Sequence, residues 1–224
     1  MSTSNEQSRV AASIDRAIDA FREGRPVLIH DAADREGETD IVYPAGAMTP
    51  EAVARLRNDA GGLVCLALSY DAAEALDLPF RQETIDHPVA ADHDLGYDER
   101  SSFSLTVNHR DTYTGITDED RALTITEMGA LTEDPDPAAF AENFRAPGHV
   151  HVLKAAPGLL ADRRGHTELG LALADAAGLP PAVVVCEMLD DESGRERPPA
   201  AAREYAETHG FPYLEGREVV EHLG

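Results

Sequence analysis

Short apolar runs, separated by segments with helical spacing, constrain the fold of this chain more than any other feature of its sequence. Residues 26–31, 63–69 and 182–189 are apolar at most positions. Runs of this length are typical of strands that are buried on both faces of a sheet. Residues 102–109 alternate apolar and polar side chains, which predicts a half-exposed strand, and residues 149–155 predict another strand.

Capping residues place helices between these runs. Residues 8–23 have helical spacing and end at Gly24, and residues 1–7 are expected to be a flexible N-terminus. Further helix starts are predicted at Thr49 with Pro50 at the first helical position, at Thr117, at Asp136-Pro137, at Thr167 and near residue 199.

Helices and strands that mix without strict alternation predict an α+β fold, in which helices cover a mixed β-sheet in layers. The 224 residues suit a single domain, and no repeat, low-complexity tract or linker divides them. We therefore expect one catalytic domain over residues 1–224. Residues 81–100 lack periodicity and predict a long loop.

The formal net charge of −23 limits the classes of partner. Nucleic acid is excluded, because binding a phosphate backbone requires a basic face. Lys154 is the only lysine in this sequence, against eighteen arginines. An acidic surface of this kind is expected of a protein that stays soluble at high salt, where screening reduces self-repulsion, and we expect a halophilic source.

The sequence also predicts a soluble, cytoplasmic protein with no membrane partner, because it has no long apolar run and its N-terminus has no apolar signal region. Cys65 and Cys186 each lie inside an apolar run, which predicts buried, reduced thiols.

The segment DREGETD, residues 34–40, follows the first predicted strand and contains four carboxylates and Arg35. Like charges this close repel one another unless solvent or a cation intervenes. The segment is therefore either a solvated acidic loop or a site where a cation binds.

The segment RRGHTE, residues 163–168, stands at a predicted helix start. Unpaired N–H groups at a helix N-terminus hold anions, and phosphate in particular. Arginine supplies donors that match phosphate oxygens, Thr167 adds a hydroxyl, and His166 offers an imidazole nitrogen to a metal. The alternative is a capped helix with surface charges.

Three further residues are weaker candidates. Glu187 lies in an apolar strand, so it is either partly buried, with a raised pKa and an acid/base role, or exposed at the strand edge. His149 follows a predicted Pro147-Gly148 turn, and a lone histidine of this kind is more often structural. Cys65 is equally suited to filling the core.

Taken together, the segments DREGETD, LVCL, TGITDEDR, PGHV, RRGHTE and CEML resemble, in order and spacing, the 3,4-dihydroxy-2-butanone 4-phosphate synthases of riboflavin biosynthesis. The resemblance runs from about Arg22 to Leu214 and is to the stand-alone form. It implies a lyase that converts D-ribulose 5-phosphate to formate and L-3,4-dihydroxybutan-2-one 4-phosphate. The reaction passes through a metal-stabilised enediolate and a skeletal rearrangement.

The resemblance also implies the roles of individual residues. The metal ligands are Glu36 and His166, and the metal is Mg²⁺ or Mn²⁺, two ions per site. Glu187 and His149 are catalytic, with Glu38 and Cys65 close by. The sugar phosphate is held by Arg35, Glu36, Asp40, Arg163, Gly165, His166, Thr167 and Glu187. The implied assembly is a homodimer with shared active sites, so that His149 acts across the interface.

Some positions depart from the family pattern. This chain has RRGHT where the family usually has RGGHT, so either Arg163 or Arg164 could hold the phosphate. Arg163 is the predicted ligand, because it has the expected spacing to His166. The loop at residues 83–100 matches poorly and receives no role. Two other functions remain open: a metal-dependent aldolase or isomerase of another sugar phosphate, and a non-catalytic acidic module.

Overall fold

A computed structural model describes residues 2–32, 35–91, 95–96, 98 and 100–224, with the side chains from residue 7 onward. The strands in this part of the chain are β1 Val27–His30, β2 Thr39–Pro44, β3 Cys65–Leu68, β4 Phe103–His109, β5 Phe144–Lys154, β6 Ala182–Glu187 and β7 Tyr213–Glu215. The α-helices are α1 Ser2–Arg22, α2 Pro50–Arg55, α3 Tyr70–Ala75, α4 Arg81–Thr84, α5 Asp118–Leu131, α6 Pro137–Asn143, α7 His166–Ala177, α8 Pro199–His209 and α9 Gly216–Leu223.

The strands form one seven-stranded sheet in the order β4-β5-β3-β6-β2-β1-β7. The β1–β7 and β3–β5 pairs are parallel and the other four pairs are antiparallel. The predicted α+β fold with a mixed sheet is therefore confirmed. Within the described residues, no helix has the length and apolar character needed to span a bilayer.

A hydrophobic core lies on each face of the sheet. One core contains Leu66 and Val184 and packs under α2, α5 and α8. The other contains Cys65 and Val185 and packs under α1, α7 and α9. Neighbouring residues of one strand thus enter opposite cores, as strand geometry requires. This explains why the predicted strands are apolar at almost every position.

Several element predictions need correction. The sequence did not predict β2, which begins inside the acidic segment that we interpreted as a loop. Helix α7 begins at His166 with Gly165 as its N-cap, so Thr167 lies in the first turn and is not the cap. Helix α1 is Ser2–Arg22, so it begins six residues before the predicted helix at residues 8–23. The capping side chains of Thr49, Thr117 and Asp136 are confirmed.

The predicted turn at Pro147-Gly148 is instead an irregularity within β5. The β4–β5 register changes from Val107 opposite Val150 to Asn108 opposite Arg145, which leaves residues 146–149 without partners in the ladder. An added Cβ at Gly148 would lie 2.0 Å from the carbonyl carbon of Val107, so only glycine permits this approach of the two backbones.

Lys154, at the end of β5, is buried with 3% of its surface exposed. Its ammonium donates to the carbonyl oxygen of Leu78 over 2.9 Å and pairs with Glu74. The same group lies 4.8 and 4.9 Å from the ring centroids of Tyr70 and Phe80, within cation–π range. This lysine therefore joins β5 to the segment that follows β3.

Candidate active site

A cavity of about 360 Å³ opens where the β1–β2 connection, the end of β6 and the start of α7 meet. This volume suits a small molecule. The cavity is lined by Arg35, Glu36, Glu38, Asp40, Cys65, Leu95, Asp98, Ser101, Ser102, Phe103, Leu153, Arg163, His166, Thr167, Val185 and Glu187. Nine of the predicted site residues are in this lining; of the other two, Gly165 adjoins it and His149 does not.

The acidic connection between β1 and β2 is organised by Asp31, for which no role was predicted from the sequence. One oxygen of this buried carboxylate accepts from the backbone N–H groups of Gly37 at 2.8 Å and Glu38 at 3.1 Å. The other accepts from the Arg35 guanidinium at 3.0 Å and from the Glu36 N–H at 3.4 Å. Asp31 therefore fixes the direction of the side chains at 35–38. Asp34 lies outside the described residues.

The ends of β2 and β6 bring two predicted carboxylates together. Asp40 and Glu187 are directly opposite in the antiparallel register. One oxygen of Glu187 accepts from the N–H of Leu63 at 2.8 Å, which holds the side chain at the cavity wall. The prediction of a partly buried Glu187 is confirmed, since its burial is intermediate.

The start of α7 provides donors for an anion. The N-cap residue Gly165 makes no side-chain capping bond, so the first-turn N–H groups at His166 and Thr167 are left for another acceptor. Arg163 lies beside them in the cavity lining, whereas Arg164 is exposed and outside it. Position therefore favours Arg163 as the phosphate ligand.

His166, Asp40 and Glu36 form a cluster at the start of α7 that is suited to a divalent cation. Nδ1 of His166 is 3.4 Å from Oδ1 of Asp40 and 3.6 Å from Oε2 of Glu36. Burial alone would lower the pKa of His166, but these two carboxylates raise it to about 9. Burial raises the pKa of Glu36, and His166 and Arg35 overcome this effect and lower it to about 2.

The donor set fits a hard divalent cation. Oδ1 of Asp40 and Nε2 of His166 are buried and have no hydrogen-bond partner among the described residues. Unpaired buried atoms of this kind are costly, and a bound ion or water would satisfy them. Glu36, His166 and Asp31 lie close enough to share an ion. Asp31 is the least suitable of the three, because four donors already occupy its oxygens.

Charge balance supports the same conclusion. Five carboxylates line the cavity against two guanidinium groups. Burial, followed by the negative charges of Glu187 and Glu36, raises the pKa of Glu38. Burial also raises the pKa of Asp40 well above its usual value, although His166 opposes this effect. A divalent ion would relieve the repulsion that raises both values.

The structure adds Asp98 to the site, from a loop for which no role was predicted. Its Oδ2 accepts from Nε and Nη2 of Arg163 at 3.0 and 2.7 Å, and it also pairs with Arg35. The segment at residues 81–100, predicted as a long loop, contains the short helix α4 and a 3₁₀ turn at Pro88–Ala90, and its residues 92–94, 97 and 99 lie outside the described part.

Cys65 lies in the cavity wall as a neutral thiol. Burial, and then the negative charge of Glu187, raises its pKa well above the usual value. The raised pKa makes Cys65 unsuitable as a thiolate nucleophile. The predictions that both cysteines are buried and unbridged are confirmed.

His149 lies away from the cavity of its own chain. The cavity reaches β5 at Leu153, which is four residues and about 13 Å along an extended strand from His149. Its N–H donates to Oδ1 of Asn108 at 2.7 Å, and its Nδ1 lies 3.2 Å from Nδ2 of the same side chain. Asn108 therefore fixes the orientation of this imidazole at the β5 irregularity.

Comparisons with known proteins agree with this geometry. The family model described as 3,4-dihydroxy-2-butanone 4-phosphate synthase matches residues 15–222. A protein of that name from Methanosarcina mazei is 49% identical over 222 residues, covering 93% of this chain and 90% of the relative. Another, from Archaeoglobus fulgidus, is 49% identical over 220 residues, covering 93% and 92%.

Solved structures give the same result. The Candida albicans 3,4-dihydroxy-2-butanone 4-phosphate synthase is 33% identical with a TM-score of 0.76, covering 94% of this chain and 97% of that one. A 3,4-dihydroxy-2-butanone 4-phosphate synthase in complex with two magnesium ions is 30% identical with a TM-score of 0.78, covering 93% and 95%. The chain therefore belongs to the 3,4-dihydroxy-2-butanone 4-phosphate synthase family.

Proposed function

We propose that this protein is a lyase that converts D-ribulose 5-phosphate to formate and L-3,4-dihydroxybutan-2-one 4-phosphate, the reaction for riboflavin biosynthesis that the family name implies. One observation carries the proposal. The cation-binding pair Glu36 and His166 shares a single cavity with the anion-binding pair Arg35 and Arg163. A phosphorylated ketose has both a polyol end for the metal and a phosphate for the arginines.

The phosphate binds at Arg35, Arg163 and the first turn of α7, near Gly165 and Thr167. Since this group does not react, its binding energy positions the reacting end of the sugar. Glu36 and His166 hold a divalent ion, with Asp40 beside them. We propose Mg²⁺, replaceable by Mn²⁺, and two ions, the number in the related magnesium complex. Such ions supply Lewis-acid stabilisation of charge on the substrate oxygens.

The remaining carboxylates move protons. Glu187 uses one oxygen to accept from Leu63, so its other oxygen is available to the substrate. Burial raises the pKa of Glu38, which favours its protonated form and suits an acid/base role. The thiol of Cys65 stays protonated and forms part of the wall. The reaction needs proton transfers at several carbons, which explains the number of acid/base groups around one cavity.

The test is release of formate from ribulose 5-phosphate, followed by NMR in the presence of Mg²⁺. Glu36→Gln and His166→Ala are expected to abolish release and to weaken Mg²⁺ binding, because each removes a metal ligand. Glu187→Gln is expected to stop turnover while Mg²⁺ binding persists. Glu23→Gln is the control, since Glu23 pairs with Arg25 on the surface. Absence of formate with the wild-type protein would refute the proposal.

We further propose that the protein is a homodimer in which His149 completes the partner's site. Within one chain His149 is not among the residues that line the cavity. A second, more apolar groove runs beside the cavity along β4 and β5. Its lining includes Val89, which is 74% exposed, and Phe103, which is 41% exposed. A partner subunit seated on this groove would cover both side chains.

Mixing two inactive variants tests this arrangement. Random exchange of His149→Ala and Glu187→Gln subunits makes half of the dimers mixed. One of the two sites in each mixed dimer then combines an intact His149 with an intact Glu187, so about a quarter of the wild-type rate should return. No recovery after demonstrated subunit exchange would place His149 and Glu187 in the same chain's site. A monomer in sedimentation analysis would refute the dimer itself.

A further inference from the structure

Asp98 lines the cavity but has no role in the proposed reaction. All three of its bonds to Arg163 and Arg35 converge on a single carboxylate oxygen, Oδ2. The two bonds to Arg163, at 3.0 and 2.7 Å, have the lengths of charge-assisted hydrogen bonds. The carboxylate of Asp98 thus occupies the position between the two guanidinium groups where a phosphate oxygen would bind.

Neither arginine needs Asp98 to keep its direction. Arg35 also pairs with Asp31 at 3.0 Å and with Glu36 at 2.9 Å. Arg163 also donates to Glu168 at 2.7 Å, and Glu168 is fully buried and accepts from the N–H of Ala156 at 3.1 Å. The two guanidinium groups are therefore oriented by carboxylates other than Asp98, and Asp98 contacts them from the cavity lining.

A dianionic phosphate cannot join this arrangement without cost. Within the described residues, the two guanidinium groups already face carboxylates at Asp31, Glu36, Asp98 and Glu168. Of these, Asp98 is the one carried by the long loop between α4 and β4. The other three are held by backbone N–H donors, by His166 or by complete burial in a helix. Asp98 is thus the carboxylate that a phosphate can replace at least expense.

We propose that Asp98 is a built-in competitor for the phosphate site, whose carboxylate occupies Arg35 and Arg163 in the absence of substrate and exchanges with the substrate phosphate. The inference rests on the proposed function, because it takes the ligand to be a sugar phosphate. It makes Asp98 a residue that lowers the affinity of the site for phosphate by competing for the two arginines. A residue that only stabilised the arginines would act in the opposite direction, because its loss would weaken phosphate binding.

The test is calorimetric titration of inorganic phosphate into Asp98→Asn at constant Mg²⁺ and salt. Asparagine has nearly the same shape and lacks the charge. We expect the Kd for phosphate to fall by about fivefold and the KM for ribulose 5-phosphate to fall with it, since a charged competitor has been removed. An unchanged or higher Kd would overturn the proposal.

The chain offers a matched control. Asp118 also bridges two arginines, accepting from Arg57 at 3.0 Å and from Arg121 at 3.1 Å, and it lies outside the cavity. Asp118→Asn changes the net charge by the same amount, so its Kd for phosphate should equal that of the wild type. An equal fall in both variants would mean that total charge, and not Asp98, sets the affinity, and would overturn the proposal.

A second measurement needs no variant, in case Asp98→Asn does not fold. In wild-type crystals with inorganic phosphate, we expect phosphate oxygens on Arg35 and Arg163 and the Asp98 carboxylate beyond hydrogen-bond distance of Arg163. Simultaneous contact of phosphate and Asp98 with both arginines would overturn the exchange. These results are independent of turnover: absence of formate release would refute the proposed function alone, and an unchanged phosphate Kd would refute the role of Asp98 alone.

Discussion

Replacing Gly165 with alanine should damage the phosphate site while leaving the fold intact. An added Cβ at this N-cap would lie 2.4 Å from Nη1 of Arg163 and 2.9 Å from Nη2 of Arg35. Because ordinary contact begins near 3.4 Å, the Arg163 guanidinium must move by about 1 Å. A displacement of 1 Å at a substrate-positioning group typically costs up to about 100-fold in rate.

Stability should change little, because the obstructing atoms are ends of flexible side chains. The backbone at Gly165 has φ −85° and ψ 172°, which alanine adopts without strain. The loss of a glycine N-cap and the gain from a stiffer unfolded chain are both below about 1 kcal/mol and of opposite sign. We therefore expect kcat/KM to fall about 10- to 100-fold with a nearly constant free energy of unfolding.

Steady-state formate release and urea unfolding measure the two quantities. Gly46→Ala is the control, since a Cβ there meets nothing within 4 Å. A Gly165→Ala enzyme whose kcat/KM stays within about threefold of wild type would refute the reasoning, because the arginines could then move without consequence. Loss of more than about 2 kcal/mol of stability would refute it too, since the glycine would then be needed for folding.

Three further predictions concern charge and burial. Burial raises the pKa of both Cys65 and Cys186. Iodoacetamide at pH 8 should therefore alkylate the folded protein at least about tenfold more slowly than the urea-unfolded chain. Equal alkylation rates would contradict the raised pKa values. Lys154→Met should cost about 1 to 2 kcal/mol in urea unfolding, because it leaves the carbonyl of Leu78 without its donor, whereas Glu74 is half exposed and loses little. No measurable loss of stability would refute this. At a net charge of −23, lowering NaCl from about 2 M to about 0.1 M should lower the melting temperature, and a constant value would refute adaptation to high salt.

The sequence predicted the central strands well because β1, β3 and β6 are buried on both faces and are apolar at almost every position. It failed at β2 for the opposite reason. That strand begins with Thr39 and Asp40, and both are buried because the ladder with β6 places them beside Glu187 and the start of α7. No local propensity indicates a strand that starts with a buried aspartate.

The candidate site likewise contains residues that could be predicted from the sequence and residues that could not. Glu36 and His166 were recognisable because each stands in a short motif with chemically specific spacing. Asp31 had a local signal: an aspartate before a glycine-containing turn often accepts from the backbone N–H groups that follow. Asp98 had none, because its contacts with Arg35 and Arg163 span 63 and 65 residues from a loop without periodicity. Only the assembled fold brings these groups together.

The burial of Lys154 determines which reagents can report on assembly. As the sole lysine in this sequence, with 3% of its surface exposed and its amine engaged by Glu74, it offers almost nothing to amine-directed cross-linkers. A negative result with succinimidyl esters would therefore carry little information about subunit association, because these reagents would find no accessible lysine side chain. The surface is instead rich in carboxyl groups, so carbodiimide-activated dihydrazides are the coupling chemistry suited to this molecule.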